Sequence, residues 1–189
     1  MSHLTEAGWL SGIQHQPSPN FNARPAAVTI DLLVLHAISL PPGQFGGSAI
    51  TDLFLNRLDL SAHASFAALE NLQVSSHFLI RRDGDVIQYV STEARAWHAG
   101  KSSFLGRENC NDYSIGVELE GTASEVFTAL QYQALVDLTI TLQSRYPAIT
   151  MERITGHQHI APGRKWDPGP QFDWSFYRKE LTDVHRKNC

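Results

Sequence analysis

The chain has 189 residues, of which 42% are hydrophobic and 18% charged, and this balance is typical of a globular protein. Its 15 Lys and Arg against 19 Asp and Glu give a net charge of −4, which argues against a nucleic-acid partner because such proteins need a basic surface. The length predicts a single domain over residues 1–189.

The cysteines and the amino-terminal segment favour a soluble protein of a reducing compartment. Cys110 and Cys189 are too few and too far apart for a disulfide framework or a thiolate zinc site. The first residues lack the basic and apolar regions of a secretion signal. No run approaches the roughly 20 apolar residues that a membrane span needs. We therefore expect a cytoplasmic protein that has no membrane partner.

The first half of the chain predicts strands and short helices behind an irregular arm. Residues 1–27 show no sustained period and are expected to pack on the domain as that arm. Residues 30–36 form an apolar run ending at His36, which predicts a strand buried on both faces. Further predicted elements are a loop over 41–47, helices over about 51–58 and 65–72, and a β-hairpin of strands 76–80 and 86–90 that turns at Asp83-Gly84.

The second half completes an α/β (α+β) pattern. Residues 114–120 alternate and predict a strand that carries Glu118 and Glu120 on one face and apolar residues on the other. A capping box at Thr128 starts the longest helix, which is predicted to stop at Pro147. A short strand at 153–155 and a helix over about 174–184 follow. Together the elements predict a central mixed β-sheet flanked by helices on both faces.

Two histidines and one aspartate are candidate metal ligands. His36 ends a buried strand, and His157 stands at a comparable strand-to-loop exit. Asp167 precedes a proline, which restricts it to extended conformations and helps to fix its carboxylate. Two His and one carboxylate suit a catalytic zinc with an open fourth position. The alternative is that these are structural histidines of the core, and His159 competes with His157 because in an extended segment the two share a face.

Several separated motifs agree in order and spacing with one family. They are Val34-Leu35-His36, Ser76-His77-Phe78-Leu79-Ile80-Arg81-Arg82-Asp83-Gly84, Ala96-Trp97-His98-Ala99-Gly100, Ser114-Ile115-Gly116-Val117-Glu118-Leu119-Glu120-Gly121, Thr155-Gly156-His157, and Lys165 with Asp167-Pro168-Gly169-Pro170. With them the chain resembles the zinc-dependent N-acetylmuramoyl-L-alanine amidases from about residue 8 to 176, and most closely their cytoplasmic branch. Their fold is shared with peptidoglycan recognition proteins.

The resemblance implies a zinc enzyme of cell-wall recycling. It would cleave the lactyl amide between 1,6-anhydro-N-acetylmuramic acid and L-alanine, with a zinc-activated water attacking the carbonyl. His36, His157 and Asp167 match the family's Zn²⁺ ligands. The muropeptide is then the expected partner, and the protein is expected to be a monomer.

The resemblance also implies roles for further residues. Glu118 matches the catalytic acid and base, with Glu120 as its rival. Lys165 matches the basic residue that stabilises the oxyanion, although Arg164 could serve instead. The expected substrate-binding residues are Trp97, His98, His77 and Arg107, for each of which a packing or surface role is the alternative.

Two other functions stay open at this point. A muropeptide-binding module that lacks catalysis could share the fold, although all three ligand positions are filled here. A zinc peptidase could use the same chemistry on an amide within the stem peptide. Incubation with a muropeptide and analysis of the products separates the three.

Overall fold

The computed structural model describes residues 3–187. Its ten strands are β1 (Gln14–His15), β2 (Phe21–Ala23), β3 (Leu32–Ile38), β4 (Phe78–Ile80), β5 (Val86–Gln88), β6 (Ala94–Ala96), β7 (Ser103–Phe104), β8 (Arg107–Glu108), β9 (Ser114–Glu120) and β10 (Ile154–Gly156). Its four α-helices are α1 (Ala49–Phe54), α2 (Ala129–Arg145), α3 (His157–Ile160) and α4 (Trp174–Lys187). Short 3₁₀ turns lie at Leu60–Ala62, Ala64–Leu69, Cys110–Asp112 and Met151–Arg153.

Six strands form the central sheet, in the order β1-β5-β4-β9-β3-β10. β4, β9, β3 and β10 run parallel to one another, and β5 pairs antiparallel with β4, so the sheet is mixed. β3 and β9 lie at its centre and are paired along their whole lengths. Their nearly uniform burial explains why both read as strongly apolar in sequence.

Helices cover both faces of the sheet, as the sequence predicted. Alternate residues of β3 and β9, such as Leu33, Leu35 and Val117, pack in one large core with α2 and α4. On the opposite face α1 packs on β4 and β5, while Leu32 and Val34 contact the region around α3. Since side chains alternate along a strand, every second residue of β3 and β9 points to this second face.

Most predicted elements are confirmed, with shifted ends. β3 runs over Leu32–Ile38 instead of 30–36, because the full length of its partner β9 sets where its ladder begins and ends. The hairpin of β4 and β5 is present and antiparallel. The second predicted helix is a 3₁₀ segment at Ala64–Leu69. The capping box that begins α2 at Thr128 is confirmed.

Two predictions were wrong. The amino-terminal arm is not wholly irregular, because β1 pairs with β5 and β2 pairs with β6. The segment after β10 was expected to be an extended loop, yet it forms the short helix α3.

Within residues 3–187, no helix is both long and apolar enough to cross a bilayer. Cys110 is buried and free, whereas Cys189 lies outside the described residues.

Candidate active site

The register of two central strands brings His36 and Glu118 together. His36 on β3 is the direct neighbour of Glu118 on β9 in the parallel ladder. Both side chains point away from the core under α2, because Leu35 and Val117, which precede them, point into it. The sheet therefore holds an imidazole and a carboxylate side by side on its second face.

His157 and Asp167 reach the same place from the edge of the sheet. β10 pairs with β3, and His157 is the first residue of α3 directly after β10. The loop after α3 returns towards it, where the Gln158 amide donates a 2.8 Å hydrogen bond to the Asp167 carbonyl oxygen. This bond fixes Asp167 beside His157.

The three predicted ligand side chains converge in a buried cluster. His36 Nδ1 lies 2.9 Å from His157 Nδ1 and 3.1 Å from Asp167 Oδ2. His157 Nδ1 lies 3.0 Å from the same carboxylate oxygen. In the part of the chain from residue 3 to 187, this is the one group of three or more potential metal-ligating side chains with this proximity. The fold thus brings together, as predicted, three side chains that are far apart in the sequence.

The chemistry of this donor set fits a zinc ion. His157 Nε2 lies 3.1 Å from the Ala99 carbonyl oxygen, which can only accept a hydrogen bond, so Nε2 carries a proton and Nδ1 is the nitrogen that offers its lone pair when the ring binds a metal. Burial lowers the pKa of His36 to about 4, which leaves its ring neutral at neutral pH. Two neutral imidazole nitrogens and a carboxylate are the donors of many catalytic zinc sites.

Asp167 is the charged member of the cluster. Burial would raise the pKa of its carboxyl, but the adjacent rings of His157 and His36 outweigh burial and hold the pKa well below its usual range. The carboxylate is therefore ionised and offers a negative charge to a cation at this position.

Glu118 stands beside the cluster with one oxygen free. Its Oε1 is 3.9 Å from His36 Nδ1, and its buried Oε2 has no hydrogen-bond partner among the described residues. Burial and the nearby charge of Asp167 raise the pKa of Glu118 well above its usual value, while the charge of Lys165 opposes them. A carboxyl with a raised pKa in a cleft is suited to take up and return a proton near neutral pH.

Glu120, the predicted rival, is occupied elsewhere. It is fully buried, and its Oε1 accepts a 2.6 Å hydrogen bond from the Gly46 amide. Its Oε2 accepts one from the Arg82 amide, and Arg81 lies 3.8 Å away. Glu120 therefore ties the loop over 41–47 to the sheet, and it does not line the cleft that contains Glu118.

Arg164 and Lys165, the two candidate cations for the oxyanion, also differ in their hydrogen-bond partners. The guanidinium of Arg164 donates 2.7 Å hydrogen bonds to the carbonyl oxygens of Ala99 and Lys101, so it clamps that segment. Lys165 is exposed at the cleft, and its charge acts on both Glu118 and His36. Among the described residues no acceptor contacts the Lys165 ammonium, so of the two cations it is the one available to an oxyanion.

His159, the alternative ligand, faces away from the cluster. It was expected to share a face with His157 in an extended segment, but α3 is helical, and residues two apart on a helix point in different directions. The ring of His159 is exposed and lies near Gln158, Thr155 and Trp174. The competing assignment was therefore wrong.

A cleft of about 470 Å³ opens over the cluster. Its apolar lining includes Leu53, Phe54, Leu69, Leu72, Val74, Trp97 and Trp166. Trp97 is half-buried, and its indole N–H donates a 2.8 Å hydrogen bond to Asn22 Oδ1. Trp166, which the sequence reasoning missed, is 48% exposed on the rim. Its signal was a large aromatic residue directly before Asp167 in a Pro- and Gly-rich loop.

Two predicted substrate-binding histidines lie deeper than expected. His98 forms part of the cleft wall but is largely buried, and its two ring nitrogens contact His36 and Ser114. His77 has no exposed surface and does not line the cleft, so its prediction was wrong. Its Nδ1 accepts a hydrogen bond from the Gly116 amide, and its Nε2 donates to the Ala94 carbonyl oxygen.

Arg107 does not reach the cleft either. It lies on β8, where its guanidinium is 3.4 Å from Asp31 and stacks 3.7 Å from the ring centroid of Tyr113. These two partners satisfy its charge and its planar face at the surface. The prediction that Arg107 binds the substrate was therefore wrong, and the surface role is the one observed.

A family model and a known relative both match this chain over most of its length. A family model described as N-acetylmuramoyl-L-alanine amidase matches residues 26–170. The 1,6-anhydro-N-acetylmuramyl-L-alanine amidase AmpD of Citrobacter freundii is 52% identical over 184 residues, which is 97% of this chain and 98% of that protein.

Two solved structures extend the likeness to the fold. A crystal structure of a selenomethionine AmpD derivative has a TM-score of 0.90 and 53% identity, and the match covers 93% of this chain and 98% of that one. The amidase AmiD of Escherichia coli, solved with anhydro-N-acetylmuramic acid-L-Ala-D-γ-Glu-L-Lys, has a TM-score of 0.60 and 28% identity. That match covers 94% of this chain and 65% of the other.

Proposed function

The chain belongs to the N-acetylmuramoyl-L-alanine amidase family, and on that premise we propose how its cleft carries out the reaction. It is an amidase of the AmpD type, which cleaves the amide between N-acetylmuramic acid and L-alanine in muropeptides during cell-wall recycling. The observation that carries the proposal is the buried cluster of His36, His157 and Asp167 with Glu118 beside it in one cleft.

We assign the zinc ligands to His36, His157 and Asp167. When bound there, a zinc ion supplies Lewis acidity, which activates water and polarises the amide carbonyl. The support from this chain is the convergence of two Nδ1 lone pairs and one ionised carboxylate in a buried position. Without a cation, two lone pairs and a carboxylate face one another in a buried site, which is unfavourable. A cation at this position interacts favourably with all three.

Glu118 is assigned the proton transfer. Its carboxylate takes one proton from the attacking water as the oxygen bonds to the carbonyl carbon, and returns it to the alanine nitrogen as the C–N bond breaks. The free Oε2 and the raised pKa of Glu118 support this role. Lys165 is assigned to stabilise the negative charge that develops on the carbonyl oxygen, because its charge acts on Glu118 and its ammonium contacts no acceptor within residues 3–187.

The substrate is proposed to be a 1,6-anhydromuropeptide. The AmpD relative is named for that class, and AmiD was solved with such a compound. We assign Trp97 and Trp166 to the sugar or the adjacent peptide, because both line the cleft and offer apolar faces. The predictions of a cytoplasmic location and a monomeric state rest on the sequence.

The test is incubation with a 1,6-anhydro-N-acetylmuramoyl peptide, with products followed by mass spectrometry. Zinc-loaded protein is expected to release a peptide that begins with L-alanine, while chelator-treated protein and an Asp167→Ala variant release none. Binding without cleavage would favour a recognition module. Cleavage inside the peptide would favour a peptidase.

A further inference from the structure

His36 contacts a second histidine on the side away from the ligand cluster. Its Nδ1 faces His157 and Asp167, while its Nε2 lies 2.9 Å from Nδ1 of His98. The two rings meet edge to face, with centroids 5.0 Å apart. Metal-ligating histidines usually donate the second ring N–H to a carboxylate, a backbone carbonyl or water, so a histidine acceptor is an uncommon arrangement.

The direction of this hydrogen bond follows from the groups behind His98. Ser114 Oγ lies 2.6 Å from the Cys110 carbonyl oxygen, which can only accept, so the hydroxyl donates to it. The hydroxyl oxygen then accepts from His98 Nε2, which is 3.1 Å away. In a neutral imidazole the other nitrogen, Nδ1, keeps a lone pair, and it therefore accepts from the Nε2–H of His36. This leaves the lone pair of His36 on Nδ1.

Packing and backbone bonds hold the His98 ring in this position. A Cβ atom on residue 116 would lie 2.5 Å from Cγ and 2.6 Å from Nδ1 of His98, so only glycine leaves room for the ring against β9. Asn111 Oδ1 accepts hydrogen bonds from the backbone amides of both His98 and Ala99, at 3.1 and 2.7 Å. The segment is therefore fixed by both its main chain and its ring.

The same two residues act on both histidine ligands. The His98 ring accepts from His36, and the carbonyl oxygen of the next residue, Ala99, accepts from His157 Nε2. We propose that His98 and Ala99 form a single positioning segment that fixes the tautomers of His36 and His157, so that both present an Nδ1 lone pair to the metal. This inference rests on the metal site of the proposed function and makes His98 a positioning residue instead of a substrate-binding one.

The test compares two substitutions of His98 by zinc affinity, with zinc alone titrated against a chromophoric chelator. In His98→Asn the side-chain oxygen can occupy the place of Nδ1 and accept from His36, so affinity is expected to stay within a few-fold of wild type. In His98→Gln the amide extends towards the place of Nε2 and the acceptor is lost, and an affinity loss of about 10- to 100-fold is expected. Amidase activity is not needed for this readout.

Each outcome decides between specific readings. Equal affinities in all three proteins, or equal losses in both variants, would overturn the inference, because a ring that only fills space does not distinguish Asn from Gln. A wild type that binds no zinc would overturn the metal site itself, and the inference with it.

If either variant does not fold, ¹⁵N NMR of the histidine rings in the zinc-loaded wild type decides. His98 is expected to carry its proton on Nε2 and to accept a hydrogen bond at Nδ1. A proton on Nδ1 of His98 would overturn the inference.

Discussion

At the scale of single residues, two glutamates two positions apart on β9 differ because their partners differ. Glu118 faces the ligand cluster with one oxygen unpartnered, and Glu120 accepts backbone hydrogen bonds from the loop over 41–47 and from Arg82. Both are buried, so exposure does not separate them. Their hydrogen-bond partners distinguish the two glutamates.

We expect Glu118→Gln to lower turnover about 10²- to 10⁴-fold, the usual contribution of a general acid or base. The matched change Glu120→Gln, on the same strand and face, is expected to keep turnover within a few-fold of wild type. The measurement is the steady-state rate on a 1,6-anhydromuropeptide. If Glu120→Gln abolished turnover while Glu118→Gln spared it, the assignment of the proton transfer would be wrong.

His77 makes the stability of the protein depend on pH. Burial, with the charge of Arg24 adding to it, lowers the pKa of His77 in the folded state to about 3 from an ordinary value of 6.5. Between these two values the unfolded chain binds a proton that the folded chain does not, so the stability contributed by the neutral ring is present above pH 6.5 and is lost as the pH falls. The slope for one proton is about 1.4 kcal/mol per pH unit.

The check is urea unfolding of chelator-treated protein from pH 7 to 4. A His77→Asn variant, which can still accept the hydrogen bond from Gly116, is expected to show a slope that is smaller by about one proton. An unchanged slope would show that His77 does not titrate in this way.

At the scale of elements, the capping box of α2 is both a sequence signal and a structural joint. Thr128 Oγ1 accepts from the Gln131 amide and donates to the Arg82 carbonyl oxygen, which ties the start of the helix to the segment after β4. Thr128→Ala is expected to lower the free energy of unfolding by about 1 to 2 kcal/mol. Thr141→Ala, a half-buried position on the same helix whose hydroxyl bonds only to the helix backbone at Asp137, is expected to change it by less than about 0.5 kcal/mol. Urea denaturation measures both, and equal effects would contradict a capping role.

Elements with a strong local signal were predictable, whereas elements made by distant pairing were not. The capping box and the alternation of residues 114–120 are local patterns, and α2 and β9 match them. β1 has two residues and exists because it pairs with β5, which no periodicity within residues 14–15 could show. α3 is a single turn after β10, and missing it made His159 look equivalent to His157.

The resemblance aligned the motifs of His36, His157 and Asp167, and the structure brings these three side chains together, while their role as metal ligands stays a prediction. The supporting residues could not be found in the same way. The role of His98 depends on contacts with His36 and Ser114 across the fold, and the errors over His77 and Arg107 arose because burial and partners such as Asp31 are set by tertiary packing.

At the scale of the whole molecule, the ligand cluster joins parts of the chain that are far apart in sequence. His36 lies on a central strand, His157 starts α3, and Asp167 belongs to the loop that leads towards α4. The unfolded chain does not hold these groups together, so a metal that binds only the folded state must stabilise the fold.

Zinc is therefore expected to raise the thermal unfolding temperature. At a free zinc concentration 100 times its dissociation constant, the stabilisation is about 2.7 kcal/mol, or roughly 5 to 10 °C for a chain of this size. His157→Ala is expected to abolish this shift, because it removes one of two imidazole ligands. His159→Ala is the matched control and is expected to keep the full shift, since the ring of His159 is exposed and points away from the cluster. Calorimetry of all three proteins with and without zinc makes the comparison, and a shift lost in His159→Ala but kept in His157→Ala would reverse the ligand assignment.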